Sequence, residues 1–339
     1  MRRFFVLIAA LALLAALPVG AAARPGPTSA RSVDASIAYW TKERIAHAIP
    51  RDFVLMPNGK FVPAAKPPGG PGGGGGGGKA VTGASWTGGG LILNQSGRVL
   101  FTLGGIDYIC SASVVDDAKA NFSVIVTAGH CIYDEAADVF ATNWIYMPRF
   151  DTAPDYGCGA TTNGCWAARA LVIHHGFADE DSFNGTTVQY DWGFAVVSTG
   201  GKPGQSLQLD VTFGSYPLAV GDTSGPNPGY AFGYPAGGKY SPGLDLVYCK
   251  GEIGSDPFNG NLNWKIGCDM TGGSSGGPWL KDTSNPGTTE GQVFSVNSYT
   301  YSGVKAMHGP KFNAKTTDSY IAAKNANPGN TGILQIVVQ

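Results

Sequence analysis

From about residue 80 onward, short apolar runs alternate with turn residues. The runs fall at 91–93, 99–103, 108–115, 123–126, 144–147, 170–173 and 194–197. A second set follows at 207–213, 230–233, 244–250, 263–266, 278–280 and 293–299. Gly, Pro, Asn, Asp and Ser separate them. Many short strands with turns between them predict an all-β barrel or sandwich. The upstream part is patterned differently. Residues 32–49 place Val33, Ile37, Trp40, Ile45 and Ile49 at roughly helical spacing. Ser32 or Asp34 can cap that helix and Pro50 stops it. Residues 67–78 are entirely Pro and Gly, which predicts a flexible linker. Residues 4–17 are an unbroken apolar run between Arg2-Arg3 and Ala21-Ala22-Ala23. That is the pattern of a secretory signal peptide, too short for a comfortable membrane span.

Composition narrows the picture. Net charge is −1 and charged residues make up 14%, so no basic face for nucleic acid or acidic membranes is expected. The 51 glycines suit a turn-rich extracellular β protein. Six cysteines fit an oxidising compartment, though they allow 15 pairings. No Cys-x-x-Cys or His-Glu-x-x-His is present, so a metal site is not expected.

Three segments carry candidate chemistry. Thr271-Gly272-Gly273-Ser274-Ser275-Gly276-Gly277-Pro278 sets a serine in a run of glycines. Such a backbone turns sharply, presents the serine Oγ and lets backbone N–H groups converge beside it. Val124-Ile125-Val126-Thr127-Ala128-Gly129-His130-Cys131 is an apolar strand delivering a histidine. Tyr190-Asp191-Trp192-Gly193-Phe194-Ala195-Val196-Val197 is an aspartate opening another. Asp179 and Asp181, in the polar loop 179–182, are rival acids or calcium ligands, and a solvated loop is the simpler reading. His174-His175 is read as surface or packing.

Together these motifs resemble the secreted serine peptidases of the chymotrypsin clan, and within it the bacterial branch that includes the V8-type glutamyl endopeptidases. The order His, Asp, Ser is the order of that clan. The resemblance spans roughly residues 84–300. It implies two six-stranded antiparallel β-barrels, with the active site in the cleft between them. It implies His130, Asp191 and Ser275 as the catalytic triad, and the backbone N–H groups of Gly273 and Ser275 as the oxyanion hole. It also implies a bridge from Cys110 to Cys131. Cys158 and Cys165 are close enough to shut a small loop, leaving Cys249 and Cys268 to tie a hairpin ahead of the nucleophile. Tyr39-Trp40-Thr41-Lys42-Glu43-Arg44-Ile45 is similar to an element of bacterial pro-regions.

The expected organisation is a signal peptide at 1–23, a pro-region at 24–79 and a peptidase domain at 80–339. Its barrels are expected at about 84–200 and 205–339. Cleavage of the pro-region is expected between Ala64 and Thr82. The chain departs from the family at Ser274, where animal relatives carry the aspartate that receives a new N-terminus. Asn297 stands where glutamate-specific members use histidine, so a P1 glutamate preference is not implied. Asp269, with Met270 beside it, sits at the offset of a basic-P1 carboxylate, but glutamyl endopeptidases can also carry Asp there, so the residue does not decide the P1 preference. The reading is a secreted, monomeric serine endopeptidase acting on protein or peptide substrates through an acyl-enzyme. It needs no cofactor or metal, and after signal removal it binds neither membrane nor nucleic acid. The alternative is an inactive exported binding protein on the same scaffold.

Overall fold

A computed structural model of the chain describes residues 24–25, 33–63, 82–152, 158, 163–201, 206–288, 290–329 and 332–339. The signal-peptide reading at 1–23 and the linker at 67–78 lie outside the described residues.

The helix predicted over 32–49 is two short helices, α1 (Val33–Tyr39) and α2 (Lys42–His47). The break falls where Trp40 turns into the protein. Trp40 is buried and its indole N–H donates to the Asn143 carbonyl. The Thr41 hydroxyl then caps α2 by accepting from the Arg44 amide at 3.3 Å. Tyr39 and Arg44 both reach Asp107, at 2.8 and 2.9 Å. Three short strands follow: β1 (Ile49–Pro50), β2 (Phe53–Leu55) and β3 (Phe61–Pro63), the last two an antiparallel hairpin.

The rest is all-β, two six-stranded antiparallel barrels with few helices. After β4 (Ala84–Ser85), the first barrel contains β5 (Ser96–Leu103), β6 (Ile106–Val115), β7 (Phe122–Thr127), β8 (Thr142–Pro148), β9 (Trp166–His174) and β10 (Gly193–Ser198). Its order is β9-β8-β5-β6-β7-β10, closed by pairing of β9 with β10. Ala195 therefore lies between Ile125 and Leu171. The strands read as near-continuous apolar runs because α1, a C-terminal helix and the second barrel cover their outer faces.

The second barrel is built from β11 (Gly229–Gly233), β12 (Val247–Gly251), β13 (Asn263–Gly267), β14 (Pro278–Lys281) and β15 (Gln292–Val296). After the short β16 (Tyr299–Tyr301), β17 (Ala306–Pro310) supplies its sixth strand. One sheet runs β15-β14-β11-β12-β4; the other carries β13-β17-β16-β2-β3. A disulfide from Cys249 to Cys268 joins β12 to the end of β13. The Ser295 hydroxyl donates to the Pro310 carbonyl at 2.7 Å and joins β15 to β17. Between the sheets pack Ala231, Val247, Trp264, Ile266, Trp279 and Phe294.

Two expectations need correction. Residues 207–213 were expected as a strand, but Leu209–Phe213 is a helical turn. Asp210 is pinned by the Ser123 hydroxyl at 2.7 Å, Thr212 donates back to the Gln208 carbonyl, and Gly214 at φ +82° ends the turn. The second barrel also stops before residue 339. Helix α3 (Ala314–Asn325) and strand β18 (Leu334–Val338) return to the first barrel, where β18 pairs in parallel with β9.

Further disulfides join Cys110 to Cys131 and Cys158 to Cys165. Replacing Cys249 and Cys268 together by Ala is expected to lower the unfolding free energy by about 3 kcal/mol, as for a closed loop of this size. Urea denaturation of the intact chain checks this, and an unchanged midpoint contradicts it.

Candidate active site

His130 sits on a single 3-10 turn, Gly129–Cys131, directly after β7. Asp191 lies two residues before the first residue of β10, and the ladder pairs Gly193 with Thr127. That register brings the two side chains together. The Asp191 Oδ2 accepts from His130 Nδ1 at 2.8 Å, and its Oδ1 accepts from the His130 main-chain N–H at 2.9 Å. Both residues are fully buried. The Ser298 hydroxyl also donates to Asp191 Oδ2. A carboxylate on Nδ1 holds that proton there, so Nε2 is the lone-pair nitrogen. Nε2 is buried and has no hydrogen-bond partner among the described residues.

Ser275 stands on the glycine turn. Gly276 has φ +81°, and a Cβ there would lie 2.0 Å from Thr127 Oγ1 and 2.4 Å from the Ser111 carbonyl. Only glycine lets the turn approach the first barrel this closely. The Ser111 amide donates to the Ser275 carbonyl at 2.7 Å, and its hydroxyl to the Gly273 carbonyl at 2.8 Å. The guanidinium of Arg98, almost wholly buried, donates to the carbonyls of Tyr234, Gly273 and Gly243. The Ser274 hydroxyl stays inside the turn, donating to Thr271 at 2.8 Å.

The Oγ of Ser275 donates to Asp52 Oδ1 at 2.8 Å, and the Gly273 N–H points to the same oxygen at 3.3 Å. Burial pushes the Asp52 carboxyl above the ordinary range; the Ser275 hydrogen bond and the nearby His130 only partly offset this. Next to it, the Phe53 ring meets the His130 ring edge-on at 5.4 Å and stacks on Phe183 at 3.9 Å. Arg51 donates to the His130 and Tyr133 carbonyls and pairs with Asp134 at 3.3 Å.

The pocket residues expected from sequence have other partners. The Asp269 carboxylate accepts from the Gly83 amide at 2.8 Å, Lys239 Nζ at 2.7 Å and the Tyr240 hydroxyl. Burial alone would push it up, but these hydrogen bonds outweigh that and hold it below the usual carboxylate range. Met270 packs in the second core. Asn297 donates to the Phe232 and Ser274 carbonyls and accepts from the Trp279 indole at 2.7 Å, so it braces the turn. Asp179 faces His175 at 3.2 Å. His174 is buried against Tyr190, which pushes it down to about 4. Cys110 and Cys131 lie beside His130, but their disulfide leaves no thiolate for a metal.

Sequence reading missed Ser298, Ser111, Arg98 and Asp52. Arg98 carried a signal, being a lone charge opening the apolar run 99–103. Ser298 directly follows Asn297 in the segment already singled out, and no local pattern marked Ser111 or Asp52.

A double β-barrel with a buried His–Asp pair beside a serine on a glycine turn is the scaffold of a serine peptidase. Two solved structures are similar at 33% identity. The protease Anisep from Arthrobacter nicotinovorans is covered over 100% of its chain and 72% of this one, with a TM-score of 0.59. The thermostable serine protease AL20 from an extremophilic microorganism is covered over 99% of its chain and 69% of this one, with a TM-score of 0.58. A Glu endopeptidase shares the fold at 17% identity and a TM-score of 0.52, over 97% of its chain and 72% of this one. No family model and no curated protein matches the chain. The chain belongs to the serine proteases that include Anisep and AL20, and its fold is the chymotrypsin-like double barrel.

Asp269 gives a pH prediction. A depressed carboxyl stabilises the fold above its ordinary value of about 3.9, and that contribution is lost as pH falls through the lowered value. Asp269→Asn is expected to lower the melting temperature at pH 7 by about 2–4 °C. The gap to wild type should close below about pH 4. Thermal melts at pH 7 and at steps from about pH 4 down to about pH 2 check it; a gap as large at the acid end as at pH 7 contradicts it.

Proposed function

We propose that the protein is a secreted serine endopeptidase, made with a pro-region, that cleaves peptide bonds through an acyl-enzyme. The observation that carries this reading is the 2.8 Å contact of His130 Nδ1 with Asp191, beside the braced turn bearing Ser275. The Ser275 hydroxyl attacks the scissile carbonyl while His130 Nε2 takes its proton. The N–H groups of Gly273 and Ser275 stabilise the oxyanion of the tetrahedral intermediate. The same His130 then protonates the leaving amine, and the acyl-serine is hydrolysed by water activated in the reverse sense. Asp191, held by Ser298 and the His130 amide, keeps the imidazole in its tautomer and stabilises the imidazolium. Export is supported by the apolar leader at 4–17 and by the disulfides. Among the described residues no helix is long and apolar enough to cross a membrane.

In the enzyme freed of residues 24–79, Ser275→Ala is expected to lower kcat by about 10⁴–10⁶ with the melting temperature unchanged. Retention of more than roughly a tenth of wild-type turnover sinks the assignment. A fluorophosphonate probe should label the wild-type chain, after removal of residues 24–79, and not the variant.

A further inference from the structure

Residues 49–63 lie across the candidate site from one barrel to the other. Strand β1 adds in parallel to β6 of the first barrel, Ile49 facing Tyr108 and Pro50 facing Ile109. Strand β2 adds in parallel to β16 of the second, Phe53 facing Tyr299 and Leu55 facing Tyr301. Between them, Asp52 puts one carboxylate oxygen on both the Ser275 hydroxyl and the Gly273 N–H. A Cβ on Gly272 would lie 1.9 Å from the other oxygen, so the turn leaves just enough room for this group. Phe53 fills the space between His130 and Phe183, and Phe61 closes over Phe183 and Tyr299 with centroids at 5.1 and 5.4 Å. His130 is thereby sealed, with no exposed surface.

We infer that residues 49–63 are a tethered inhibitor of this protein's own cleft. Asp52 occupies the place of a substrate carbonyl oxygen, and Phe53 fills an aromatic slot beside His130. The inference rests on the peptidase reading above. The group presented to Ser275 is a carboxylate, which is a poor electrophile and has no leaving amine. The segment therefore holds the site without being acylated there. The Ser275 hydroxyl also points its hydrogen at Asp52, leaving His130 Nε2 without its proton donor. Release requires loss of the tether: once the chain is cut between 63 and 82, the segment binds as a separate molecule and can dilute away. The slot lined by Phe183 and Tyr299 then opens, and an aromatic or large apolar substrate side chain is what its surfaces fit.

The test compares the intact secreted chain with the same chain after limited proteolysis and removal of the upstream piece. The readout is the rate of fluorophosphonate labelling at Ser275. The intact wild-type chain should label at least about 100-fold more slowly than the processed one, corresponding to an open population of about 1%. Asp52→Ala combined with Phe53→Ala should speed labelling of the intact chain at least about tenfold. After processing, variant and wild type are the same molecule, so equal rates there show that the variant folded. A synthetic peptide of residues 33–63 should restore the block in the processed enzyme, and the doubly substituted peptide should not. Equal labelling of intact and processed wild type overturns the inference, as does a wild-type peptide that leaves the processed enzyme uninhibited. Labelling of neither form overturns the peptidase reading itself.

Discussion

The buried Asp191 carboxylate holds the two barrels in register. Three donors converge on it: the His130 amide, His130 Nδ1 and the Ser298 hydroxyl. The first two come from the first barrel and the third from the second. A buried carboxylate that loses its partners costs several kcal/mol, so the barrels cannot slide apart without exposing or stranding this charge. Arg98 repeats the logic in the opposite direction. Its guanidinium rises from the first barrel and donates to three carbonyls of the second. The seam is thus fixed by directional polar contacts as well as by apolar area, and directional contacts are what place atoms accurately enough for chemistry.

That seam also explains why Ser275 sits on glycines. The turn must pass within contact of Thr127 and Ser111, and it is braced from both sides by Ser111, Asn297 and Arg98. Asn297, set on the strand end beside Ser298, serves that bracing with every polar atom of its side chain. The upstream segment uses the same surfaces. Trp40 and Arg44 anchor it on the first barrel, while Phe53 and Phe61 lie on the second barrel's edge and on Phe183. Its contacts are therefore spread over both halves of the cleft, so holding the segment and holding the barrels together reinforce one another.

Much of the architecture was legible from residue patterns. Strands such as 122–127 and 193–198 are runs of apolar and small residues with no charge among them, because in a closed, covered barrel both faces are buried. Their ends were legible too, since a polar residue abruptly follows or precedes each run: His130 after one, Asp191 before the other. Residues 207–213 were misread because Leu207, Leu209, Val211 and Phe213 alternate as a strand does, while the Ser123–Asp210 contact that bends them comes from elsewhere. The upstream helix was legible in its apolar spacing but not in its break, which depends on a carbonyl of Asn143 waiting for the Trp40 indole.

By itself the sequence determined what is local. It set which runs become strands, where a backbone can turn tightly enough to raise Ser275, and where carboxylate, imidazole and hydroxyl side chains stand along the chain. Tertiary structure decided which of these groups meet. Asp191 rather than Asp179 reaches His130 because β7 and β10 pair in one register. Asp269 is claimed by Gly83, Lys239 and Tyr240, though its offset from Ser275 marked it for substrate. Asp52, an unremarkable residue after Pro50-Arg51, arrives at Ser275 across a separation of 223 positions. A hydrogen bond depends on a few ångströms and an angle in space. A chain pattern encodes periodicity along one dimension and carries no record of which distant residue will come within that distance.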